Sequence, residues 1–469
     1  MADQSIIRIT KELSDLQRHS DLSLAVACKD ADVRYVKALI VGPHETPYEF
    51  GFFEFAVKFN KGTTAASWSS VPLPLEPVAD SCSFSLEYPR KSPQVTGTTT
   101  NGGRCRFNPN IYASGKVCLS ILGTWRGERG EEWSAAQGLE SILLSIQSLM
   151  SANPFENEPG YEDSNGPEDK KLQKAYVQKI RHESLRISVI QRMEEYLNID
   201  IDGKVSLATQ EDKEDYDLMN SDDETNVPFE PFKDLCKRRF LWYYESYLAA
   251  IQNAKEEVKD SQPFMKMPFE CTSNTMDGKF NYTELERRLR TIKKTLDDEA
   301  IRWAGEGLAA KAAESTVAVN LQRQYEQVVE LYKQTDTPHD VQLVDNNPFV
   351  WSLTYFGKPM TNLDGALLRI VLRLSPRFPE EQPRVTFETS IFHHRISPDG
   401  TPCYTQTNTR REDIKSHLDA IIETLEEENP PYDPRTLVFP EAFKLYWGKP
   451  EDRRVFSRRL RRSAQQSVE

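Results

Sequence analysis

Ile111-Tyr112-Ala113-Ser114-Gly115-Lys116-Val117-Cys118 is written into this chain twice. The second version reads Ile396-Ser397-Pro398-Asp399-Gly400-Thr401-Pro402-Cys403, and in both the glycine stands three residues and the isoleucine seven residues before the cysteine. The flanks repeat in the same order. Upstream, Tyr88-Pro89-Arg90-Lys91-Ser92-Pro93-Gln94-Val95 answers Phe378-Pro379-Glu380-Glu381-Gln382-Pro383-Arg384-Val385. Further upstream, Phe53, Phe55, Val57 and Phe59 alternate with other residues, as do Leu368, Ile370, Leu372 and Leu374. That period of two marks strands with one buried face. Downstream, an apolar-faced helix follows each cysteine, then Asn153-Pro154 through Glu158-Pro159 and Asn429-Pro430 through Asp433-Pro434. Agreement in that order argues for one α+β unit present twice.

The rest of the chain arranges itself around these copies. Ile9, Leu13 and Leu16 fall on one face of an N-terminal helix, with Arg8 and Lys11 beside it. Strands are expected over 33–41 and 51–59, separated by the turn-rich Gly42 to Tyr48. A helix from about Ala135 to Met150 would bury Leu139, Ile142, Leu143, Ile146 and Leu149, and another is expected from about Asp169 to Leu197. The domain boundaries read as a first unit over 1–200, an acidic linker over 201–228, a helical extension over 229–317 and the second copy over 318–469. The linker carries Glu211-Asp212-Lys213-Glu214-Asp215 and Ser221-Asp222-Asp223-Glu224, too charged and too poor in apolar residues to pack. The extension includes Leu241-Trp242-Tyr243-Tyr244-Glu245-Ser246-Tyr247-Leu248, an aromatic run that needs a packing partner. A helical hairpin docked on the first domain would supply one. From Phe59 to Tyr88 is 29 positions, whereas Leu374 to Phe378 is four, so about residues 60–86 are extra. Either they form a surface loop or untranslated sequence has been read as coding, which an intact mass would decide.

A chain of 469 residues with 38% hydrophobic and 28% charged residues has the composition of a globular protein. It holds no apolar run of the roughly 18 residues a membrane span needs, and its first residues do not read as a secretory signal. The net charge of −13 argues against coating nucleic acid. Seven cysteines, at 28, 82, 105, 118, 236, 271 and 403, are odd in number and widely spaced. That pattern suits neither a disulfide framework nor a zinc site, and points to reduced thiols in a cytoplasmic or nuclear protein. No metal or other cofactor is expected, and no Gly-rich phosphate loop is visible.

Thr46-Pro47-Tyr48-Glu49, Tyr88-Pro89, Phe107-Asn108-Pro109-Asn110, Gly115-Lys116-Val117-Cys118-Leu119 and Trp133-Ser134 resemble the signature blocks of ubiquitin-conjugating enzymes. The run Gly115 to Trp125, with Gln147-Ser148-Leu149-Met150 and Asn157-Glu158-Pro159-Gly160, is similar to the large E2 Z subgroup in particular. The likeness covers most of the first 300 residues. It implies the UBC fold, a four-stranded antiparallel meander flanked by helices. It further implies that Cys118 accepts ubiquitin or a ubiquitin-like modifier from an activating enzyme and passes it to a substrate lysine, usually with a ubiquitin ligase. Asn110 matches the family asparagine that stabilises the oxyanion. Glu158 matches the acid that orients the lysine, with Glu156 a competitor because this loop is one residue longer than the common form. The first helix, with Arg8 and Lys11, is where the family meets its activating enzyme. Arg90 stands where family ligases usually find a bulky apolar residue.

A thiol is partly ionised near neutral pH and intrinsically nucleophilic, so thioester exchange needs no strong base. Attack by lysine is harder, since the amine must lose a proton while the carbonyl oxygen gains charge. In the second copy His393-His394-Arg395 replaces Asn108-Pro109-Asn110, the Trp-Ser pair is missing, and Cys403 and Asp433 remain. That copy reads as a non-catalytic variant that binds ubiquitin, a substrate or the first domain. The rival reading of the whole chain is an inert, UBC-like ubiquitin-binding scaffold.

Overall fold

A computed structural model describes residues 4–18, 22–29, 32–59, 87–127, 130–206, 229–270, 276–406 and 410–468. The extra stretch 60–86 and most of the acidic linker lie outside the described residues. The chain divides into two compact units, residues 1–188 with 263–278, and residues 189–262 with 279–469.

In the first unit α1 (Gln4–Arg18) turns Ile9, Leu13 and Leu16 inward, the stripe its 3.6-residue period predicts. Strands β1 (Leu24–Lys29), β2 (Asp32–Val41), β3 (Phe52–Lys58) and β4 (Gln94–Gly97) form an antiparallel sheet in chain order, the expected meander. Phe53, Phe55 and Val57 pair with Ile40, Ala38 and Val36, and all six are buried. They share a core with α2 (Leu139–Ser148), which contributes Leu139, Ile142, Leu143 and Ile146. The helix begins four residues later than its apolar periodicity predicts. Arg8 donates to the carbonyls of Ala135 and Gln137, both at 2.7 Å, and Glu12 accepts the Leu139 amide at 3.0 Å. Residues 135–138 are thereby held as a loop, and a carboxylate from α1 satisfies an N-terminal amide of α2. Arg8 is committed inside the unit, while Lys11 is exposed. The helix expected over 169–197 starts at Pro167, where Asp169 accepts the Gly166 amide at 3.1 Å. It runs as α3 (Pro167–Glu183), a π-helical stretch (Ser184–Gln191) and α4 (Arg192–Leu197).

In the second unit α5 (Lys233–Glu257) and α6 (Tyr282–Ala312) make a hairpin, followed by α7 (Thr316–Gln334). Then β5 (Asp340–Leu343), β6 (Val350–Phe356), β7 (Leu367–Arg373) and β8 (Arg384–Phe387) repeat the four-stranded antiparallel order. Helix α8 (Ile414–Glu426) stands where α2 stood, and α9 (Pro440–Trp447) and α10 (Pro450–Gln466) close the chain. Leu368, Ile370, Leu372 and Leu374 are all fully buried. Each copy carries a cis peptide at the matching position, Tyr88–Pro89 and Phe378–Pro379. The fold class is therefore the expected one, α+β with the meander present twice.

The hairpin differs from expectation. Its helices pack with the second copy: Asp234 of α5 accepts from Arg384 of β8 at 2.9 Å, and the Arg384 guanidinium lies 4.9 Å over the Trp303 ring of α6. Lys237 pairs with Glu299 at 2.6 Å to join the two helices. Trp242, Tyr243 and Tyr247 of the aromatic run are buried. Only the connecting segment, residues 263–278, belongs to the first unit.

Candidate active site

After β4 the chain doubles back through Phe107–Cys118 alongside the end of that strand. The Gly97 amide donates to the Gly115 carbonyl at 2.7 Å, and Gly115 sits at φ +86° with its missing Cβ 2.3 Å from the Gly97 oxygen. No side chain fits there, which explains why the glycine is kept three residues before the cysteine. Gly400 repeats the arrangement at φ +87°, 2.3 Å from the Phe387 oxygen.

Cys118 lies one turn beyond, nearly buried, its amide donating to the Asn110 carbonyl at 2.8 Å. The Asn110 side chain returns the contact, Nδ2 donating to the Cys118 carbonyl at 3.0 Å. Asn108 is the anchor below them. It is fully buried, accepts the Asn110 amide at 2.9 Å, and donates to the Tyr48 hydroxyl at 3.1 Å and the Leu149 carbonyl at 2.8 Å. Tyr48 in turn donates to the Phe107 carbonyl at 2.7 Å. Each of the two asparagines thus fixes one end of the loop: Asn108 ties it to the core, and Asn110 ties it to the cysteine.

Glu158 follows a single 3-10 turn (Pro154–Asn157) and faces inward, its Oε2 accepting from Arg106 Nη2 at 3.0 Å. Arg106 is almost completely buried, donates also to the Pro109 carbonyl at 2.6 Å, and lies 4.7 Å over the Tyr112 ring. Burial raises the pKa of the Tyr112 hydroxyl first, and the neighbouring Cys118 thiol and Glu158 push it further while Arg106 pulls it down. Glu156, the competing acid, is exposed and accepts from Asn153 Nδ2 at 2.8 Å. Cys118, Asn110 and Glu158 are therefore brought to one site. Trp133 donates to the Pro89 carbonyl at 2.9 Å beside the Tyr88 ring, bracing the Tyr-Pro turn. Sequence reading missed Tyr112 and Arg106. The first sits between two recognisable residues and could have been found by proximity; the second is a lone arginine with no local signal.

The second copy keeps the backbone arrangement around its cysteine and surrounds it with different side chains. Cys403 donates its amide to the Arg395 carbonyl at 2.8 Å, and His393 Nδ1 takes the place of the Asn108 oxygen, accepting the Arg395 amide at 3.2 Å. Arg395 points to Glu427 at 3.3 Å, and the Asp433 carboxylate is held by Arg435 at 2.8 and 3.0 Å. Cys403 is 1% exposed. Burial pushes its thiol up to about 11, with Arg239 of α5 and Arg395 opposing. Tyr243 of α5 donates to the Arg435 carbonyl at 2.9 Å, so α5 covers this face. Burial likewise drives His393 down to about 3, and His394 is stacked 4.0 Å from Tyr446. Neutral, enclosed rings of this kind are packing elements, and no group of three or more metal-ligating side chains occurs among the described residues.

A twice-used α+β meander, carrying a cysteine beside an asparagine in one copy, defines a thiol-bearing scaffold with one furnished site and one filled one. The ubiquitin-conjugating enzyme family model matches residues 81–184 and again 320–442, once in each copy. The chain is 33% identical to ubiquitin-conjugating enzyme E2 Z of Danio rerio over 64% of its own length and 70% of that protein. For E2 Z of Homo sapiens the figures are 32%, 62% and 64%. The solved E2 domain of a Toxoplasma gondii ubiquitin conjugating enzyme is 24% identical and aligns over 39% of this chain and 99% of that one, with a TM-score of 0.27, too low to bear on the argument. The chain belongs to the ubiquitin-conjugating enzyme family.

Proposed function

We propose that Cys118 receives ubiquitin or a ubiquitin-like modifier as a thioester and hands it to a lysine of a substrate protein. In charging, the Cys118 thiolate attacks the thioester carried by an activating enzyme, whose own cysteine leaves and takes up the proton. In discharge, the neutral lysine amine attacks the Cys118 thioester carbonyl, the tetrahedral oxyanion collapses, an amide replaces the carbon–sulfur bond, and the amine's proton passes to the departing Cys118 thiolate. ATP is consumed by the activating enzyme, so this chain has no need of a nucleotide site. A ligase brings the substrate.

The observation that carries this reading is the tie between Asn110 and Cys118. The Asn110 amide has two N–H donors, of which one goes to the Cys118 carbonyl. The second is available to an oxyanion developing on a Cys118 thioester. A preset donor of that kind contributes about 3 kcal/mol in other enzymes. Glu158 is favoured over Glu156 as the acid that orients the lysine, because Glu158 faces Arg106 and Tyr112 and Glu156 faces solvent. The second copy has the thiol without the asparagine, and we assign it a non-catalytic role.

The test is a non-reducing gel after incubation with activating enzyme, ATP and ubiquitin, repeated with ubiquitin-like modifiers. A dithiothreitol-sensitive adduct that vanishes in Cys118→Ala and persists in Cys403→Ala is expected. A folded chain that forms no adduct with any modifier would make it an inert scaffold instead.

A further inference from the structure

The first unit borrows residues 263–278 from the hairpin connection, and that segment ends up against the site. Phe269 lies 5.8 Å from the Arg106 guanidinium. The ring is held firmly, packing at 5.4 Å on Phe155, 5.8 Å on Tyr161 and 5.4 Å on Tyr176. The next residue, Glu270, pairs with the fully buried Lys179 at 2.5 Å and also accepts the Met267 amide at 3.0 Å. A surface loop resting by chance on a neighbour would not carry a buried ion pair, because burying both charges is costly unless their geometry is fixed.

Arg106 is where these constraints meet the chemistry. One guanidinium nitrogen holds both the Pro109 carbonyl, directly before Asn110, and the Glu158 carboxylate. The Tyr112 ring lies under the same cation. A planar, permanently charged fork can bond in its plane and stack on its face at once; an ammonium cannot.

We infer that Arg106, braced by the Phe269 ring, is a positioning residue for the transfer to lysine, and that residues 263–278 are therefore part of the working site. The inference rests on the proposed transfer chemistry. It concerns discharge rather than charging, since the groups Arg106 aligns are those that meet the amine and the oxyanion. The brace also puts a cation close to where the incoming lysine must shed its proton, which favours the neutral amine.

The experiment measures single-turnover discharge of the Cys118–ubiquitin thioester to free lysine across pH, alongside the initial rate of charging, in the full chain. Phe269→Leu keeps bulk and removes the aromatic face, whereas Phe269→Tyr keeps the face. The Leu variant should lose roughly tenfold more in discharge than in charging, and the Tyr variant should recover it. Arg106→Lys keeps the charge without the fork and should lose on the order of a hundredfold in discharge, the cost of a site displaced by about 1 Å. Arg106→Gln should move the discharge midpoint to higher pH, a shift that loosened packing alone would not produce. Parallel loss of charging and discharge in Phe269→Leu, or discharge at the wild-type rate, would overturn the brace. So would an unmoved midpoint in a folded Arg106→Gln. If Arg106→Gln does not fold, the Phe269 pair decides. A wild-type chain that never charges overturns the transfer chemistry itself, and the brace with it.

Discussion

Asn110 and Cys118 hold one another through two hydrogen bonds, at 2.8 and 3.0 Å, before any modifier arrives. Asn110→Ala should therefore slow lysine discharge by about a hundredfold while sparing charging, as expected for losing one oxyanion donor. Equal losses in both half-reactions, measured by single-turnover gels, would reduce Asn110 to a loop fastener. Cys403 makes the opposite case. With its thiol pushed up to about 11, chiefly by burial, the thiolate fraction at pH 8 is on the order of one in a thousand. Iodoacetamide should leave Cys403 unmodified in the folded chain and label it in urea; peptide mass spectrometry reads the difference, and rapid labelling of the native chain would refute the enclosure. The two cysteines and the glycine spacing were legible in the sequence because they recur in both copies, and Asn110 because it stands in a recognisable block eight residues before Cys118. Tyr112 and Arg106 were not, because their role lies in what a ring and a guanidinium touch across the fold.

Among the elements, the helices and strands followed their periodicities, and departures arose where another element supplied a cap. The late start of α2 is one: Glu12 and Arg8 of α1 decide where it begins, and no local pattern announces that. The 263–278 segment is another. Its Glu270 and the Lys179 of α3 are buried at 8% and 0% exposure. Glu270→Ala should destabilise the first unit by about 3–5 kcal/mol, because it strands a buried ammonium. Replacing both partners, Lys179→Met with Glu270→Leu, should cost far less. Urea unfolding monitored through the first unit tests this, and a single variant as mild as the double would show the pair to be solvated. Nothing in the sequence pointed to that contact, since 91 residues separate its partners.

Among the described residues each unit has a hydrophobic core of its own, so unfolding of the chain should not be forced onto a two-state scheme. Acid should act on the first unit through Glu183. Burial raises the pKa of that carboxyl, yet hydrogen bonds from Arg186 and His182 outweigh it and hold it at about 2. A group depressed in the folded state contributes stability that is present above its ordinary value near 4.5 and lost as pH falls toward about 2. Glu183→Gln should remove about 3 kcal/mol at pH 7 and flatten the acid limb between those values, which calorimetry against pH would show. An unchanged acid limb would place the charge in solvent. The duplication was plain from the sequence because repeated spacing survives where identity does not. The discontinuity of the first unit was hidden, because the three methionines and two phenylalanines of 263–278 fall in no helical or strand period. That discontinuity sets a timetable for the chain during synthesis. Met267, Phe269 and Met276 pack against the first core, and with Glu270 they leave the ribosome long after Cys118 and Lys179. The emerging N-terminal portion must therefore wait, with Lys179 unpaired and Arg106 lacking one of its rings, until most of the hairpin has been translated. A nascent chain stalled at residue 200 would carry the cysteine without a finished site, and protease protection of stalled chains should appear only when residue 278 has cleared the exit tunnel.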